Sequence, residues 1–284
     1  MTLATSSEAF AALRKLDAAS LRAEIRAGRY VGHTAGLAAG RLQVNLAILT
    51  EPYALDFLRF CQRNPKPCPL VGVSDTGRPI LDTLGEGLDV RRDAPGYNIY
   101  RDGALDGTAP DISDLWRSDL VAFALGCSFT FEDALLRAGI PLWHIENNTT
   151  VPMFRTTLMT RPAGPFGGGM VVSMRAIATA RVEEAVAISA RFPHAHGSPV
   201  HIGDPAQIGI EDLSTPHWGD PAPIAEGQTP VFWACGVTPQ AATLRAKLPL
   251  CITHEPGKML ITDVSDTAEI PILPTNTSPT GDVT

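Results

Sequence analysis

The same pattern of residues occurs twice in this chain, 108 positions apart. The first copy, GCSFTFEDALLRAGIPL, spans residues 126–142, and the second, ACGVTPQAATLRAKLPL, spans residues 234–250. Without any gap, the copies align a cysteine (Cys127 and Cys235), a threonine three residues later (Thr130 and Thr238) and the end of an amphipathic segment. A repeat of this kind predicts one supersecondary unit built twice.

Each copy is interpreted as a βαβ unit. Apolar runs, LVAFALG and PVFWACG, precede the helical segments, and PLWHIE and LPLCITHE follow them. We expect the strands near 120–126 and 230–235 to lie parallel in one sheet, with Cys127 and Cys235 at the same edge. Thr238 followed by proline is typical of a helix start, with the hydroxyl as N-cap, and Thr130 holds the matching position.

The remaining segments predict an α/β fold. SEAFAALRKLDAASLRAEIRAG and AAGRLQVNLAILTEPYALDFLRFCQRNP have apolar residues at helical spacing, and GYNIYRDGAL is typical of a hairpin. We expect a mixed sheet built on the two repeated units with helices packed on it. Residues 1–148 and 227–268 would form this discontinuous core domain, residues 149–226 a smaller inserted α+β subdomain, and the polar, proline-containing residues 269–284 a disordered tail.

Composition excludes several classes of protein. The 284 residues carry a net charge of −7 without a basic run, so nucleic acid is not an expected partner. The longest apolar run is far shorter than the ~20 residues of a membrane span, and the start of the chain lacks the pattern of a signal peptide, so we expect a cytoplasmic protein without a membrane partner. Five cysteines without a C-x-x-C pair argue against a disulfide framework and a zinc ribbon.

The repeated loops are the main candidate site. A helix N-terminus has free N–H groups and the positive end of the helix dipole, which favour an anion. Two such ends side by side would suit a small molecule with two carboxylates, held by Ser128 and Thr130 in one loop and by Gly236 and Thr238 in the other. The alternative is structural, because cysteine is often buried and a duplicated unit can serve folding alone.

Other polar residues fall into two groups. His194, His196, His201 and Asp204 cluster in HAHGSPVHIGDP, whose spacing matches no established zinc pattern. For His201 with Asp204, acid–base work is favoured over a hydrogen bond that only fixes the loop. Arg155 and Arg175 interrupt apolar strands and need a carboxylate from the protein or from a ligand. The glycines of GPFGGGMVV precede a strand, which argues against nucleotide binding.

Several long segments resemble one known family. They are FCQRNPKPCPL, LWRSDLVAFALGCSFTFEDALLRAGIP, GGGMVVSMRAI, GSPVHIGDPAQIGI and VFWACGVTPQAA, followed by THEPGKMLITD. In this order they resemble the hydro-lyase family typified by YcsI-like bacterial proteins, which includes the D-glutamate cyclase domain of mammals. The resemblance covers roughly residues 8 to 266. It implies an α/β protein and, for the mammalian member, dehydration of D-glutamate to 5-oxo-D-proline.

Three functions are compatible with these observations. The first is cyclisation of D-glutamate or a related small acidic substrate, with Cys127, Cys235, His201 and His254 as catalytic candidates. The residues expected to bind the substrate are Ser128, Thr130, Gly236, Thr238, Arg155, Arg175 and Asp204. The second is a cofactor-independent racemase or epimerase that uses the two thiols, which would need lowered pKa values. The third is a non-catalytic protein that binds acidic amino acids or 5-oxoproline. No cofactor or resident metal is expected, while assistance by Mg²⁺ or Mn²⁺ and homo-oligomer formation stay open.

Overall fold

The computed structural model describes residues 7–147 and 149–269. Seven α-helices lie in these residues: α1 (Ser7–Leu13), α2 (Ala18–Arg26), α3 (Glu51–Arg63), α4 (Phe129–Arg137), α5 (Trp143–Glu146), α6 (Val182–Ala190) and α7 (Val237–Arg245). The strands are β1 (Arg41–Thr50), β2 (Leu70–Val73), β3 (Tyr97–Arg101), β4 (Ala104–Ala109), β5 (Leu120–Gly126), β6 (Met153–Met159), β7 (Gly169–Ala178), β8 (His201–Ile202), β9 (Gln228–Ala234), β10 (Cys251–His254) and β11 (Leu260–Ser265). The α/β class expected from the sequence is confirmed.

The larger sheet is organised around β1. Its seven strands run in the order β2-β5-β1-β10-β3-β4, and β11 pairs with the first half of β1 next to β10. Even-numbered residues of β1, such as Leu46, pack into one apolar core, while Ala47 and Leu49 pack into a second core on the opposite face, with Phe57 of α3. The sheet is therefore covered on both faces, with β1 at its centre.

A second sheet of four strands, in the order β6-β7-β9-β8, stands beside the first. Strand β7 is its longest, and it pairs with β6 on one side and with β9 on the other. Helices α4 and α6 pack together over one of its faces, where Phe131, Ile177 and Trp233 contribute to a shared apolar core. Every pairing between described strands in the two sheets is antiparallel.

The predicted parallel arrangement of the two repeats is wrong. Strand β5 belongs to the larger sheet and β9 to the smaller one. The chain passes from β5 through α4 and α5 to β6 in the other sheet, and from β9 through α7 back to β10 in the first. Each repeat thus links the two sheets rather than adding two parallel strands to one sheet.

Two local predictions also need correction. Residues 41–50, predicted as part of a helix, form β1, and nine of these ten residues are buried. A strand covered on both faces lacks the alternation of apolar and polar residues that identifies a half-exposed strand. The segment PLWHIE, predicted as a strand, contains the short helix α5.

The remaining predictions on chain organisation have different outcomes. The division into a core domain and an inserted subdomain stays a prediction. The predicted disordered tail, apart from Glu269, lies outside the described residues. Among the helices of the described ranges, none is both long and apolar enough to cross a membrane.

The close approach of Gly126 to a neighbouring loop generates a test of this fold. A Cβ atom at Gly126 would overlap the backbone carbonyl of His194, whereas a Cβ atom at Gly107 of β4 meets no atom within 4 Å. We expect Gly126→Ala to lower the free energy of unfolding by about 3 kcal/mol, because backbone rather than a mobile side chain must shift. Gly107→Ala, the control, should change it by less than ~0.5 kcal/mol. Urea denaturation measures both, and equal effects would contradict the described packing.

Candidate functional site

The repeated cysteine and threonine form the same clamp in both copies. The Cys127 N–H donates to the Gln43 carbonyl at 3.0 Å, and the Cys235 N–H donates to the Val171 carbonyl at 3.0 Å. The Thr130 hydroxyl oxygen accepts the Gln43 N–H at 3.3 Å, and that of Thr238 accepts the Val171 N–H at 3.0 Å. Each loop is therefore tied to the strand beside it, β1 in one sheet and β7 in the other.

The threonines do not cap the helices, contrary to the prediction. The N-cap positions of α4 and α7 are Ser128 and Gly236, neither of which makes a side-chain capping hydrogen bond. The Phe129 N–H near Cys127 and the Val237 N–H near Cys235 each act to lower the pKa of the thiol, against the larger effect of burial. The repeated cysteine thus lies at the start of each helix, where its backbone N–H binds the neighbouring strand.

Both loops line one small cavity between the two sheets. Its volume is about 40 Å³. The polar residues of its wall are Asn45, Cys127, Ser128, Thr150, Cys235, Gln240 and His254, and its apolar wall includes Phe129, Met153 and Met259. The structure brings the two repeats together here, although through a different topology from the one expected. No Asp, Glu, Lys or Arg side chain from the described residues is part of this wall.

The two thiols are protonated at neutral pH. Burial raises the pKa of Cys127 to about 12, even though the Phe129 N–H works in the opposite direction. Burial likewise raises the pKa of Cys235 to about 11, against the N–H groups of Val237 and Gly236. A racemase that removes a Cα proton with a thiolate needs the opposite shift, so this environment argues against the two-thiol racemase.

His254, at the end of β10, is a neutral imidazole in the cavity wall. Burial lowers its pKa to about 4. Its Nδ1 accepts the Leu46 N–H at 3.0 Å, which places the single ring proton on Nε2. The Gln240 amide nitrogen lies 3.4 Å from both ring nitrogens. His254 therefore offers a hydrogen-bond donor to the cavity without carrying a charge.

The carboxylate partner of Arg175 is a side chain of the protein, not a ligand. Its guanidinium bonds to Glu132 of α4, and it also donates to Ser128 Oγ at 3.0 Å and Ser173 Oγ at 2.9 Å. Glu132 is shared with His144, whose Nε2 lies 3.1 Å from the same oxygen. Arg175 thus reaches the cavity only through Ser128.

The pKa of Glu132 reflects this pairing. Burial alone would raise it, but the neighbouring His144 and Arg175 lower it to about 2. The carboxylate is therefore ionised at neutral pH, and it balances the buried guanidinium.

Six of the expected residues lie outside this cavity or contribute to it indirectly, and two of them are Thr130 and Thr238, which bind the neighbouring strands. His201, on the edge strand β8, lies with its Nε2 2.7 Å from the Asp204 carbonyl, and the Asp204 side chain caps a short 3-10 helix. Arg155 is exposed and stacks on Trp218. Arg175 supports Ser128, as described above. Among the described residues, no group of three or more His, Cys, Asp or Glu side chains is arranged to hold a metal ion.

Asn45, Gln240 and Glu132 are not among the site residues predicted from the sequence. Asn45 lies in RLQVNLAILT, where its polar side chain interrupts an apolar run, and Glu132 is an acid among the apolar residues of FEDALL. Both residues are at least 95% buried. A polar residue at a position that the pattern assigns to the core is the signal that could have identified them.

The buried ion pair generates a stability test. Because the folded-state pKa of Glu132 is about 2, below the 4.5 of a free side chain, its stabilisation is complete above pH 4.5 and is lost as the pH falls toward 2. Glu132→Gln also leaves Arg175 without its counter-charge, so we expect a loss of about 3 kcal/mol at pH 7 and a clearly smaller loss at pH 3. Urea denaturation at both pH values measures this.

Glu184 provides the matched control for this test, since it pairs with Arg181 on the surface. Glu184→Gln should change the free energy of unfolding far less than Glu132→Gln does at pH 7, because solvent screens this exposed pair. An equal cost of Glu132→Gln at pH 7 and pH 3 would show that the carboxylate charge does not stabilise the fold.

Comparison with known proteins identifies relatives along most of the chain. The sequence profile described as D-glutamate cyclase matches residues 121–263, which include both repeats. A protein of Dinoroseobacter shibae named "Putative hydro-lyase" is 65% identical over 92% of this chain and 87% of its own length. Relatives with the same designation occur in Ruegeria pomeroyi, 61% identical over 93% of this chain and 96% of the relative, and in a Jannaschia species, 62% identical over 90% and 96%. The resemblance seen in the sequence is therefore confirmed, and the chain belongs to the D-glutamate cyclase family.

Proposed function

We propose that this chain is a hydro-lyase that converts D-glutamate into 5-oxo-D-proline in the cavity between the starts of α4 and α7. The family and the designation of the relatives support the removal of water as the reaction class. The observation that carries the choice of site is the meeting of both repeated loops on one cavity whose polar wall consists of uncharged groups.

The reaction needs no net gain or loss of protons. The amine of glutamate attacks the carbon of the γ-carboxylate, a C–N bond forms, and one carboxylate oxygen leaves as water. The two protons that this water needs are the two that the ammonium nitrogen loses on becoming an amide. The enzyme therefore has to move protons from nitrogen to oxygen within the bound substrate and to hold the two groups together.

An uncharged wall suits this proton balance. Hydrogen-bond donors from Ser128 and Gln240 can fix the carboxylates without neutralising the ammonium group in advance. The positive dipole ends of α4 and α7 stabilise the negative charge that stays on the carboxyl oxygens during attack. The protonated thiol of Cys127 completes the donor set, whereas the thiol of Cys235 donates to Met153 Sδ at 3.4 Å.

His254 is the group best placed to assist the departure of water. Its Nε2–H can donate a hydrogen bond to the departing oxygen, while the two protons pass from the substrate nitrogen to that oxygen within the substrate. Because Nδ1 accepts the Leu46 N–H and burial lowers the ring pKa to about 4, the ring stays neutral and acts as a hydrogen-bond donor. In this scheme His201, Asp204 and Arg155 have no role, since they do not line the cavity.

The first test is turnover without additives. Purified protein incubated with D-glutamate, in the absence of any nucleotide, should form 5-oxoproline and release water, detected by chiral chromatography with mass spectrometry. L-Glutamate should react much more slowly, because fixed positions for two carboxylates present the amine correctly for one enantiomer only. If neither enantiomer nor 5-oxoproline is consumed, with or without Mg²⁺ or Mn²⁺, D-glutamate is not the substrate. Inversion of configuration without loss of water would favour a racemase.

The second test isolates His254. In His254→Asn the side-chain oxygen can still accept the Leu46 N–H, so the fold is retained while the Nε2 proton donor is lost. We expect kcat to fall by about 10²–10⁴-fold with little change in the melting temperature. His217→Asn, at an exposed histidine outside the cavity, should leave kcat unchanged. Unchanged turnover in His254→Asn would remove His254 from the mechanism.

A further inference from the structure

A second and larger cavity lies beside the proposed catalytic one. Its volume is about 140 Å³, and it is enclosed by the loop before β1 and by the first two turns of α4. Phe129 lines both cavities. Gln43 contributes to the larger cavity and Asn45, two residues further along β1, to the smaller one, so that one face of β1 serves both.

Gln43 has an acceptor without a partner. Its amide nitrogen donates to the carbonyls of Thr34 at 3.1 Å and Leu37 at 2.9 Å, and these two bonds fix the orientation of the amide. The remaining atom, Oε1, is buried and has no hydrogen-bond partner among the described residues. Gln43 as a whole is 3% exposed. A buried acceptor without a hydrogen bond destabilises the folded protein. A ligand that donates an N–H or O–H group to Oε1 would supply the missing hydrogen bond, which favours binding.

The charges around the cavity favour an ammonium group at this end. Glu132 and Asp133 belong to its wall together with Gln43, and so does Arg41, whose guanidinium donates to the Asp263 carbonyl. Both carboxylates already have arginine partners, Arg175 and Arg137, so the wall is rich in oxygen acceptors without being strongly negative. Such a surface accepts hydrogen bonds from a primary ammonium group and has little capacity to bind a carboxylate.

The opening of the cavity carries hydrogen-bond donors instead of acceptors. Arg14, just after α1, also lines it and is exposed, and it forms no ion pair with any described residue. His33 stands in the same wall. A guanidinium at the opening and oxygen acceptors inside match a molecule that carries both a carboxylate and an ammonium group.

The geometry points to a binding site for a small α-amino acid in this cavity, with the ligand's ammonium group donating to Gln43 Oε1 and its carboxylate accepting from Arg14. This site is separate from the cavity in which D-glutamate is proposed to react, and it does not depend on that proposal. Since Thr130 and Phe129 belong to both the site and the start of α4, an occupied site also touches the loop that carries Cys127.

Alanine and two analogues of the same shape test this proposal. Isobutyrate replaces the ammonium group of alanine with methyl, and isopropylamine replaces the carboxylate with methyl. Titrations followed by ligand-observed NMR should show alanine, in at least one enantiomer, binding about tenfold more tightly than either analogue. Equal binding of alanine and isobutyrate, or no binding of alanine, would overturn the proposal. Alanine has no γ-carboxylate to cyclise, so this result is independent of D-glutamate turnover.

Variants locate the binding. Gln43→Met removes Oε1 and should abolish binding of alanine, but it also removes the bonds to Thr34 and Leu37, so its fold is checked by thermal denaturation. Arg14→Gln changes an exposed side chain and should weaken alanine binding by about tenfold while leaving that of isopropylamine unchanged. Lys15→Gln, the neighbouring exposed cation outside the cavity, is the matched control. Equal effects of Arg14→Gln and Lys15→Gln would show that Arg14 does not bind the carboxylate.

Discussion

Strand β1 is the constraint on which the other parts of this structure depend. It hydrogen-bonds to β5 along one side and to β10 and β11 in succession along the other, while both of its faces are buried. Since a strand has a side-chain period of two, its apolar residues divide between two cores, and its polar residues Gln43 and Asn45 fall on one face. The two cavities described above lie against that face.

The repeated motif attaches each loop to the strand beside it through hydrogen bonds, and this attachment does not involve a reactive thiol. A cysteine N–H and a threonine hydroxyl bind the backbone of one residue in a neighbouring strand, at the start of the helix that follows. The first unit connects the larger sheet to the smaller one, and the second unit connects the smaller sheet back to the larger one. The two sheets are therefore linked twice. The cavity between them is a consequence of this double connection, and the proposed activity uses the ends of the same two helices.

Charge is kept away from the smaller cavity by pairing inside the protein. Burying the charge of either Arg175 or Glu132 alone would strongly destabilise the fold. The two side chains instead form an ion pair, and the Ser128 and Ser173 hydroxyls accept further hydrogen bonds from the guanidinium. The rings of Phe131 and Trp233 lie 5.2 and 5.3 Å from the guanidinium carbon and shield it further. What reaches the cavity from this network is the Ser128 side chain, held in place by a buried cation.

The sequence by itself determined the α/β class, the family and the presence of two copies of one motif. These features follow from local periodicity and from motifs whose residues are close together in the sequence. Only the tertiary structure decided that β5 and β9 lie in different sheets, that residues 41–50 form a strand, and that His254 rather than His201 faces the cavity. Strand pairing joins residues far apart in the chain, and burial on both faces removes the alternation that identifies a strand. The protonation of Cys127, Cys235 and His254 depends on burial in the same way, because the cost of a charge is set by everything that surrounds it.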